Sequence, residues 1–310
     1  MLNQYLKKIL SARVYDVAIE SPLHQAPFLT ERLGNRIWLK REDEQPVYSF
    51  KIRGAYNKVV QLSEEEKARG VVAASAGNHA QGLALAAKEL GIKATIVMPR
   101  TTPEIKVKSV KARGAKVVLH GDAFDDAYAY SQKLVEEKGM TYIHPYDDPE
   151  TIAGQGTIGM EMLRQMRDPI DAIFIPVGGG GLIAGVAAYV KALRPEVRII
   201  GVESTESASL AAALEAGERV ILPQVGIFAD GVAVAQVGEN TWEICKDHVD
   251  EVITVTPDEI CAAVKDTFDD TRAVCEPAGA LSVAGLKKYV EREGWENQNL
   301  IAILSGANVN

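Results

Sequence analysis

Short apolar runs alternate with helical patterns along the chain from Val71 onward. Segments whose apolar residues recur at helical spacing are interpreted as helices: His79 to Leu90, Pro103 to Arg113 and Ala123 to Glu137. The β-rich runs around them are predicted to be strands: Val71 to Ala74, Ala94 to Met98, Lys116 to Leu119 and Thr141 to Ile143. Strands that alternate with helices in this way predict a parallel sheet.

A second series of the same kind follows. Ala172 to Val177 is a continuous apolar run, typical of a strand buried on both faces, and a helix is predicted over Leu182 to Leu193. The remaining predicted strands are Arg198 to Val202, Ile253 to Val255 and Leu300 to Leu304, with helices from Pro257 and from about Ala278. We therefore predict an α/β fold of two lobes, each a mainly parallel sheet flanked by helices. Residues 70–145 would form a small domain that interrupts a large one, residues 1–69 and 146–310.

Composition narrows the function classes. The 310 residues carry a net charge of −8 without a basic stripe, which argues against nucleic acid as a partner. The longest apolar runs are strand-sized and the N-terminus lacks the apolar stretch of a signal peptide, so we expect no membrane partner and a cytoplasmic location. The three cysteines and five histidines form no ligand spacing, so no metal is expected.

Three polar or glycine-rich segments each follow a predicted strand. Ser75-Ala76-Gly77-Asn78 follows Val71 to Ala74, Gly178 to Gly181 follows the buried strand, and Ser305 follows the last strand. Ligands bind where the carboxyl ends of parallel strands meet, so these segments are candidates for one site.

A lysine in an apolar setting adds candidate chemistry. Lys51 lies between Phe50 and Ile52, where desolvation would disfavour the ammonium and free the amine as a nucleophile. Lys51 is therefore a candidate Schiff-base former, although a surface lysine on an amphipathic helix would show the same local pattern.

The four consecutive glycines predict an anion site, because the backbone can approach a ligand closely and the following helix presents free N–H groups. A P-loop is excluded, since Leu182-Ile183 follow where Lys and Ser or Thr are required. The dinucleotide fingerprint is a stronger alternative: Gly179 to Ala184 satisfies it, and Glu203 lies where a ribose-binding acid would be found. A nicotinamide oxidoreductase remains open, although it would leave Lys51 and Ser305 without a role.

In combination these segments closely resemble the threonine dehydratases, also called threonine deaminases, which are fold-type II (tryptophan-synthase-like) pyridoxal phosphate enzymes. The resemblance covers nearly the whole chain. Its markers are Lys40-Arg41-Glu42-Asp43, Ser49 to Ala55, Ser75 to Gly82, Ala153-Gly154-Gln155-Gly156-Thr157, Gly178 to Leu182, and Ser305-Gly306-Ala307-Asn308.

The resemblance implies a role for each matched residue. Lys51 would hold pyridoxal phosphate and move the substrate α-proton, Asn78 would bind the ring's 3′-oxygen, and Ser305 would meet the pyridine nitrogen. Phe50 would pack near the ring, although a plain core role is equally open. The phosphate would be cradled by Gly178, Gly179, Gly180, Gly181 and Leu182. The substrate carboxylate would be bound by the loop of Ser75, Ala76, Gly77, Asn78 and His79, with a helix-start role for His79 still open.

The implied reaction is β-elimination of L-threonine to 2-oxobutanoate and ammonia, a step of isoleucine biosynthesis, with L-serine to pyruvate as a secondary activity. A serine hydroxyl at the ring nitrogen cannot enforce protonation there, which favours prompt elimination. A serine-preferring dehydratase, a β-replacement enzyme and a catalytically silent binding scaffold remain alternatives. The resemblance also implies a homodimer or homotetramer.

The sequence alone does not define the roles of two acidic residues, Glu203 and Glu276. Some relatives bind a cation through an acid at the position of Glu203 and a second acid nearby. Here Ser207 and Ser209 follow instead of an aspartate, so a polar strand end explains Glu203 better than a cation site. Glu276 is expected near the cofactor ring without a defined contact. Because the sequence ends at Asn310, we expect no C-terminal regulatory domain and no feedback inhibition by isoleucine.

Overall fold

A computed structural model describes residues 1–309, and its strands form two sheets. The strands are β1 (Leu23–Gln25), β2 (Arg36–Arg41), β3 (Val71–Ala74), β4 (Ala94–Met98), β5 (Lys116–Leu119), β6 (Thr141–Tyr142), β7 (Ala172–Pro176), β8 (Arg198–Ser204), β9 (Glu251–Val255) and β10 (Asn299–Leu304). The predicted strands agree with these to within two residues at either end, whereas β1 and β2 were not predicted.

Helices flank both sheets. They are α1 (Leu2–Leu10), α2 (Pro27–Leu33), α3 (Lys51–Val60), α4 (Glu64–Arg69), α5 (Asn78–Glu89), α6 (Glu104–Ala112), α7 (Phe124–Lys138), α8 (Pro149–Gln165), α9 (Gly181–Leu193), α10 (Ser209–Ala216), α11 (Glu239–His248), α12 (Pro257–Thr271) and α13 (Pro277–Glu293). Short 3₁₀ turns cover Glu42–Glu44 and Asp230–Val232. Within residues 1–309, no helix has both the length and the apolar character needed to cross a bilayer.

The larger sheet has the order β1-β2-β10-β7-β8-β9 and is parallel except for β1, which pairs antiparallel with β2. The smaller sheet has the order β5-β4-β3-β6 and is parallel throughout. Val59 and Leu62, which precede the predicted small domain, pack into the core of the smaller sheet with Val71 and Ile96. The chain connections that join the two sheets are therefore part of the small core.

Glycines let the three helices α3, α8 and α9 stack closely. A Cβ on Gly54 of α3 would lie 2.4 Å from Gln155 Nε2, and one on Gly154 of α8 would lie 2.7 Å from Gly54 Cα. At the next contact, a Cβ on Gly185 of α9 would lie 2.7 Å from the backbone nitrogen of Gly156. No side chain larger than hydrogen fits at these crossings, which explains the glycines of the Ala153–Thr157 marker. This stack fixes α3, which begins at Lys51, relative to α9, which begins at the glycine loop.

Candidate active site

A cavity of ≈ 1030 Å³ lies at the carboxyl ends of β3, β7 and β10. It brings together the loops that follow these strands and the start of α3. Every residue that the sequence predicted for the site lines it: Phe50, Lys51, Ser75, Ala76, Gly77, Asn78, His79, Gly178, Gly179, Gly180, Gly181, Leu182 and Ser305.

Lys51 is the first residue of α3, and its amine lies in the cavity wall. The Nζ atom donates a hydrogen bond to the carbonyl oxygen of Pro145 at 2.8 Å and lies 5.2 Å from the centre of the Phe50 ring. Burial lowers the pKa of Lys51 to about 8, because an ammonium is poorly solvated there. A far larger fraction of this amine than of an ordinary lysine is therefore unprotonated and nucleophilic near neutral pH.

Backbone contacts hold the Lys51 segment against the segment that contains Ser305. The Phe50 N–H donates to the Ser305 carbonyl at 3.2 Å, and the Ala307 N–H donates to the Tyr48 carbonyl at 2.9 Å. Tyr48 takes a φ of +55°, a left-handed conformation that costs energy in a tyrosine and turns the chain towards Lys51. The Ser305 hydroxyl is buried and donates to the Ala278 carbonyl at 3.2 Å.

The glycine loop has the geometry of an anion cradle. Gly180 takes a φ of +92°, and the backbone N–H groups of Gly178 to Leu182 donate to no oxygen within residues 1–309. The loop is fixed from outside the cavity, because the Gly179 carbonyl accepts from Thr241 Oγ1 at 2.8 Å. A Cβ on Gly179 would lie 2.3 Å from Cγ of Tyr146, so a larger residue does not fit. Free N–H groups at the start of α9 suit a phosphate, and the loop therefore fits the phosphate group of pyridoxal phosphate.

The loop between β3 and α5 presents further free donors. The N–H groups of Ala76, Asn78 and His79 have no acceptor within the described chain, 1–309, which suits a carboxylate ligand. The side chain of His79 is used structurally: its Nε2 lies 2.8 Å from the Ile143 carbonyl. Burial, with the nearby charge of Lys51, lowers the pKa of His79 to about 3, so the imidazole stays neutral.

Glu203 lies away from the cavity. Its carboxylate accepts hydrogen bonds from the N–H groups of Leu210 at 2.8 Å and Ala211 at 2.9 Å, and so binds the start of α10. The side chain is fully buried, and burial raises its pKa to about 7. A carboxylate engaged in this way is not free to bind a ribose, which removes the acid required by the dinucleotide interpretation.

A long irregular segment forms one wall of the cavity; the resemblance implied that its part from Phe228 to Ala233 lines the cofactor cleft, whereas the rest of it was not assigned. Between α10 and α11, residues 217–238 contain only the 3₁₀ turn at Asp230–Val232. Arg219, Gln236 and the residues around Ile221 line the cavity from this segment. Tyr146 was missed as well; it lies between the glycine loop and Gln236, whose carbonyl it contacts at 3.4 Å. No periodicity marks Arg219, Gln236 or Tyr146 as site residues, so three-dimensional contacts are needed to identify them.

Comparisons with known proteins identify the family of this chain. Residues 14–306 match the family model described as "Pyridoxal-phosphate dependent enzyme". The chain is 58% identical to a biosynthetic L-threonine dehydratase of Burkholderia multivorans over 99% of its own length. It is 53% identical to the processed form of threonine deaminase isoform 2 from Solanum lycopersicum, with a TM-score of 0.98 over 100% of this chain and 85% of that one. Maize serine racemase is 35% identical, with a TM-score of 0.94 over 98% and 94% of the two chains.

The chain spans 61% of the length of the Burkholderia relative. The family model, in contrast, covers nearly all of the chain, including the lysine, the glycine loop and Ser305. The cavity also offers what the cofactor requires: a buried amine and a glycine cradle with unpaired N–H groups. The chain belongs to the family of pyridoxal-phosphate-dependent enzymes.

Proposed function

We propose that this chain catalyses β-elimination of L-threonine to 2-oxobutanoate and ammonia, with L-serine to pyruvate as a secondary activity. The observation that carries the proposal is the buried amine of Lys51 in the same cavity as the glycine cradle. The names of the relatives support threonine as substrate, since both the Burkholderia and the tomato proteins are described as threonine dehydratase or deaminase.

Each predicted residue has a task in this proposal. Lys51 binds the cofactor through its amine and moves the substrate α-proton, and the N–H groups of Ala76, Asn78 and His79 bind the substrate carboxylate. Gly178 to Leu182 bind the cofactor phosphate, Phe50 packs beside the ring, and Ser305 faces the ring nitrogen. When bound, pyridoxal phosphate withdraws electrons from the substrate α-carbon, so that the proton and then the β-hydroxyl can leave.

The proposal also covers domain closure, assembly and location. Residues 70–145 act as a small domain that closes over the substrate against residues 1–69 and 146–310. The chain assembles as a homodimer or homotetramer and works in the cytoplasm. The reaction that it catalyses is a step of isoleucine biosynthesis. The contact of Lys106 on α6 with Asp230, at 2.5 Å, supports closure, because it joins the two sides of the cavity.

The decisive experiment measures 2-oxo acid release by the purified, cofactor-loaded chain. L-threonine and L-serine are supplied in parallel, and 2-oxobutanoate and pyruvate are quantified separately. We expect product from both, with a higher kcat/KM for threonine. A serine preference, or turnover that requires sulfide, would replace the proposed substrate with that of a serine dehydratase or a β-replacement enzyme. Bound cofactor without any 2-oxo acid would contradict β-elimination.

The rate of cofactor attachment should depend on pH through Lys51. The free amine is the nucleophile, and burial lowers the pKa of Lys51 from 10.5 to about 8. Attachment of pyridoxal phosphate to the cofactor-free protein should therefore accelerate as pH rises, with a midpoint near pH 8. Rapid-mixing absorbance measurements between pH 6 and pH 10 test this, and a midpoint near the ordinary lysine value would contradict it.

Replacing Ala76 with serine should raise racemisation of L-serine by about tenfold or more. The resemblance implies that racemases carry a hydroxyl here as the acid on the face opposite the lysine, and a positioned acid typically contributes about 10²–10⁴-fold. Ala76 lines the same cavity as Lys51 and has no proton to exchange. Chiral chromatography of D-serine measures the effect, with Ser75→Ala as the neighbouring control. No gain of D-serine in Ala76→Ser would count against this role.

A further inference from the structure

The carboxamide of Asn78 is held at both ends. Its Nδ2 donates to Glu276 Oε1 at 2.5 Å, and its Oδ1 accepts from Asn308 Nδ2 at 2.6 Å. Asn308 is fixed in turn, because its Nδ2 also donates to the Val47 carbonyl at 2.9 Å. An ionised carboxylate only accepts hydrogen bonds, so the Asn78 amide must point its NH₂ group, and not its oxygen, towards Glu276.

One donor of Asn78 remains free. A carboxamide nitrogen carries two N–H groups, and Glu276 takes one of them. The other finds no acceptor within residues 1–309, although Asn78 lines the same cavity as Lys51 and Ser305. A free N–H at this place is available to a ligand of the cavity.

Glu276 is placed for this contact by the chain around it. It precedes α13 and is 4% exposed, and its N–H donates to the Gly306 carbonyl at 3.3 Å. A Cβ on Gly306 would lie 2.7 Å from Glu276 Oε1 and 3.3 Å from Asn78 Nδ2. The glycine of the Ser305–Asn308 segment therefore leaves the space in which the carboxylate and the amide meet.

We propose that Glu276 is a positioning residue for the cofactor, whose carboxylate orients Asn78 so that the free N–H faces the 3′-oxygen of pyridoxal phosphate. This inference rests on the cofactor site of the proposed function and is independent of which amino acid is the substrate. It also assigns the carboxylate to the side of the ring that Asn78 contacts, rather than to the ring nitrogen, which Ser305 faces.

The surroundings make this contact sensitive to pH. Burial raises the pKa of Glu276 to about 7, and the charge of Asp230 acts in the same direction. The hydrogen bond from Asn78, the charge of Lys106 and the Asn308 backbone act in the opposite direction. As pH falls through 7, the carboxyl becomes neutral and its bond to Asn78 loses charge assistance. Cofactor affinity should therefore rise with pH through this range.

The test compares three variants by equilibrium titration of the cofactor-free chain with pyridoxal phosphate. Glu276→Ala should weaken binding by about tenfold and shift the ratio of the bound cofactor's absorbance bands, since one charge-assisted hydrogen bond is lost. Glu276→Gln retains an acceptor for Asn78, so affinity at pH 8 should stay within about threefold of the parent. In Glu276→Gln the part of the pH dependence centred near 7 should disappear, and only the rise centred near pH 8 that Lys51 causes should remain. Glu203→Gln is the matched control, because Glu203 is also buried with a pKa near 7 but lies outside the cavity lining.

Two outcomes would overturn the proposal. One is parent-like affinity and absorbance in Glu276→Ala; the other, decisive if that variant does not fold, is a persistent pH 7 step in Glu276→Gln. Turnover of L-threonine is measured separately on the parent chain. If the parent chain binds the cofactor but does not convert L-threonine, the proposed reaction is contradicted, whereas the positioning role of Glu276 is not.

Discussion

Replacing Lys51 with alanine is expected to lower release of 2-oxobutanoate from L-threonine by at least about 10³-fold, within the range of losses for a positioned proton-transfer group. Alanine leaves no amine to bind the cofactor and no base to take the α-proton. The cradle of Gly178 to Gly181 remains, so the variant should still bind pyridoxal phosphate, but reversibly and more weakly. The measurement pairs initial rates of 2-oxo acid release with dialysis of the bound cofactor.

Lys58 provides the matched control on the same helix. Its amine pairs with Asp148 at 2.7 Å, and the residue does not line the cavity. Loss of a partly exposed ion pair has a small effect, so Lys58→Ala should keep activity within about twofold of the parent. Activity of Lys51→Ala within tenfold of the parent would refute the role given to Lys51.

The sequence was most informative where local chemistry and strand order act together. Apolar runs such as Ala172–Pro176 are typical of strands buried on both faces, and the loop after such a strand reaches the ligand edge of the sheet. For that reason Ser75, Gly178 and Ser305 could be assigned to one site before any contact was known. All three line the same cavity.

The sequence did not predict which side chains from distant segments contact each other. The amide of Asn78 and the carboxylate of Glu276 are far apart in sequence, and their 2.5 Å contact depends on Gly306 making room. Glu203 is a second example. Its position along the chain fits a ribose-binding acid, but its hydrogen bonds to the N–H groups of Leu210 and Ala211 show that it binds the start of α10 instead. Spacing gives the position of such an acid along the chain, whereas its partners are set by packing.

A buried network of charges joins the segments around Lys51. Arg53 donates to Glu42 through Nε at 2.8 Å and to Glu161 through Nη1 at 2.5 Å. Lys40 on β2 donates to the second oxygen of Glu161 at 2.6 Å. All four side chains are fully buried. The network therefore connects β2, the 3₁₀ turn that follows it, α3 and α8, with two positive and two negative charges.

Two members of this network, Arg53 and Glu161, are held in their charged forms by their partners. Burial opposes the charge of Arg53, but Glu42 and Glu161 outweigh it and raise the pKa of the guanidinium above its ordinary value. Burial likewise opposes the charge of Glu161, but Arg53 and Lys40 hold its pKa below 4.5. Because this pKa is lowered, the stability from Glu161 is present above pH 4.5 and is lost as pH falls through the folded-state value.

Replacing Arg53 with methionine should lower the free energy of unfolding by about 3–5 kcal/mol, because Glu42 loses its cationic partner and Glu161 loses one of its two cationic partners. Methionine fills much of the same volume, so the loss reports the uncompensated charge rather than a cavity. Denaturant titration followed by circular dichroism measures it. The start of α3 should become less well fixed in this variant. Cofactor affinity should therefore fall in parallel, since Lys51 lies two residues before Arg53 on the same helix.

Arg13→Met is the control, because Arg13 pairs with Asp16 at 2.5 Å but the two side chains are 62% and 42% exposed. An exposed pair contributes about 0–1 kcal/mol, so this variant should unfold nearly as the parent does. Replacing all four network residues with apolar side chains of similar volume should recover much of the loss, since no charge is then left without a partner. Equal losses in Arg53→Met and Arg13→Met would show that burial adds nothing to the effect, and the network would then have no special part in holding Lys51 in place.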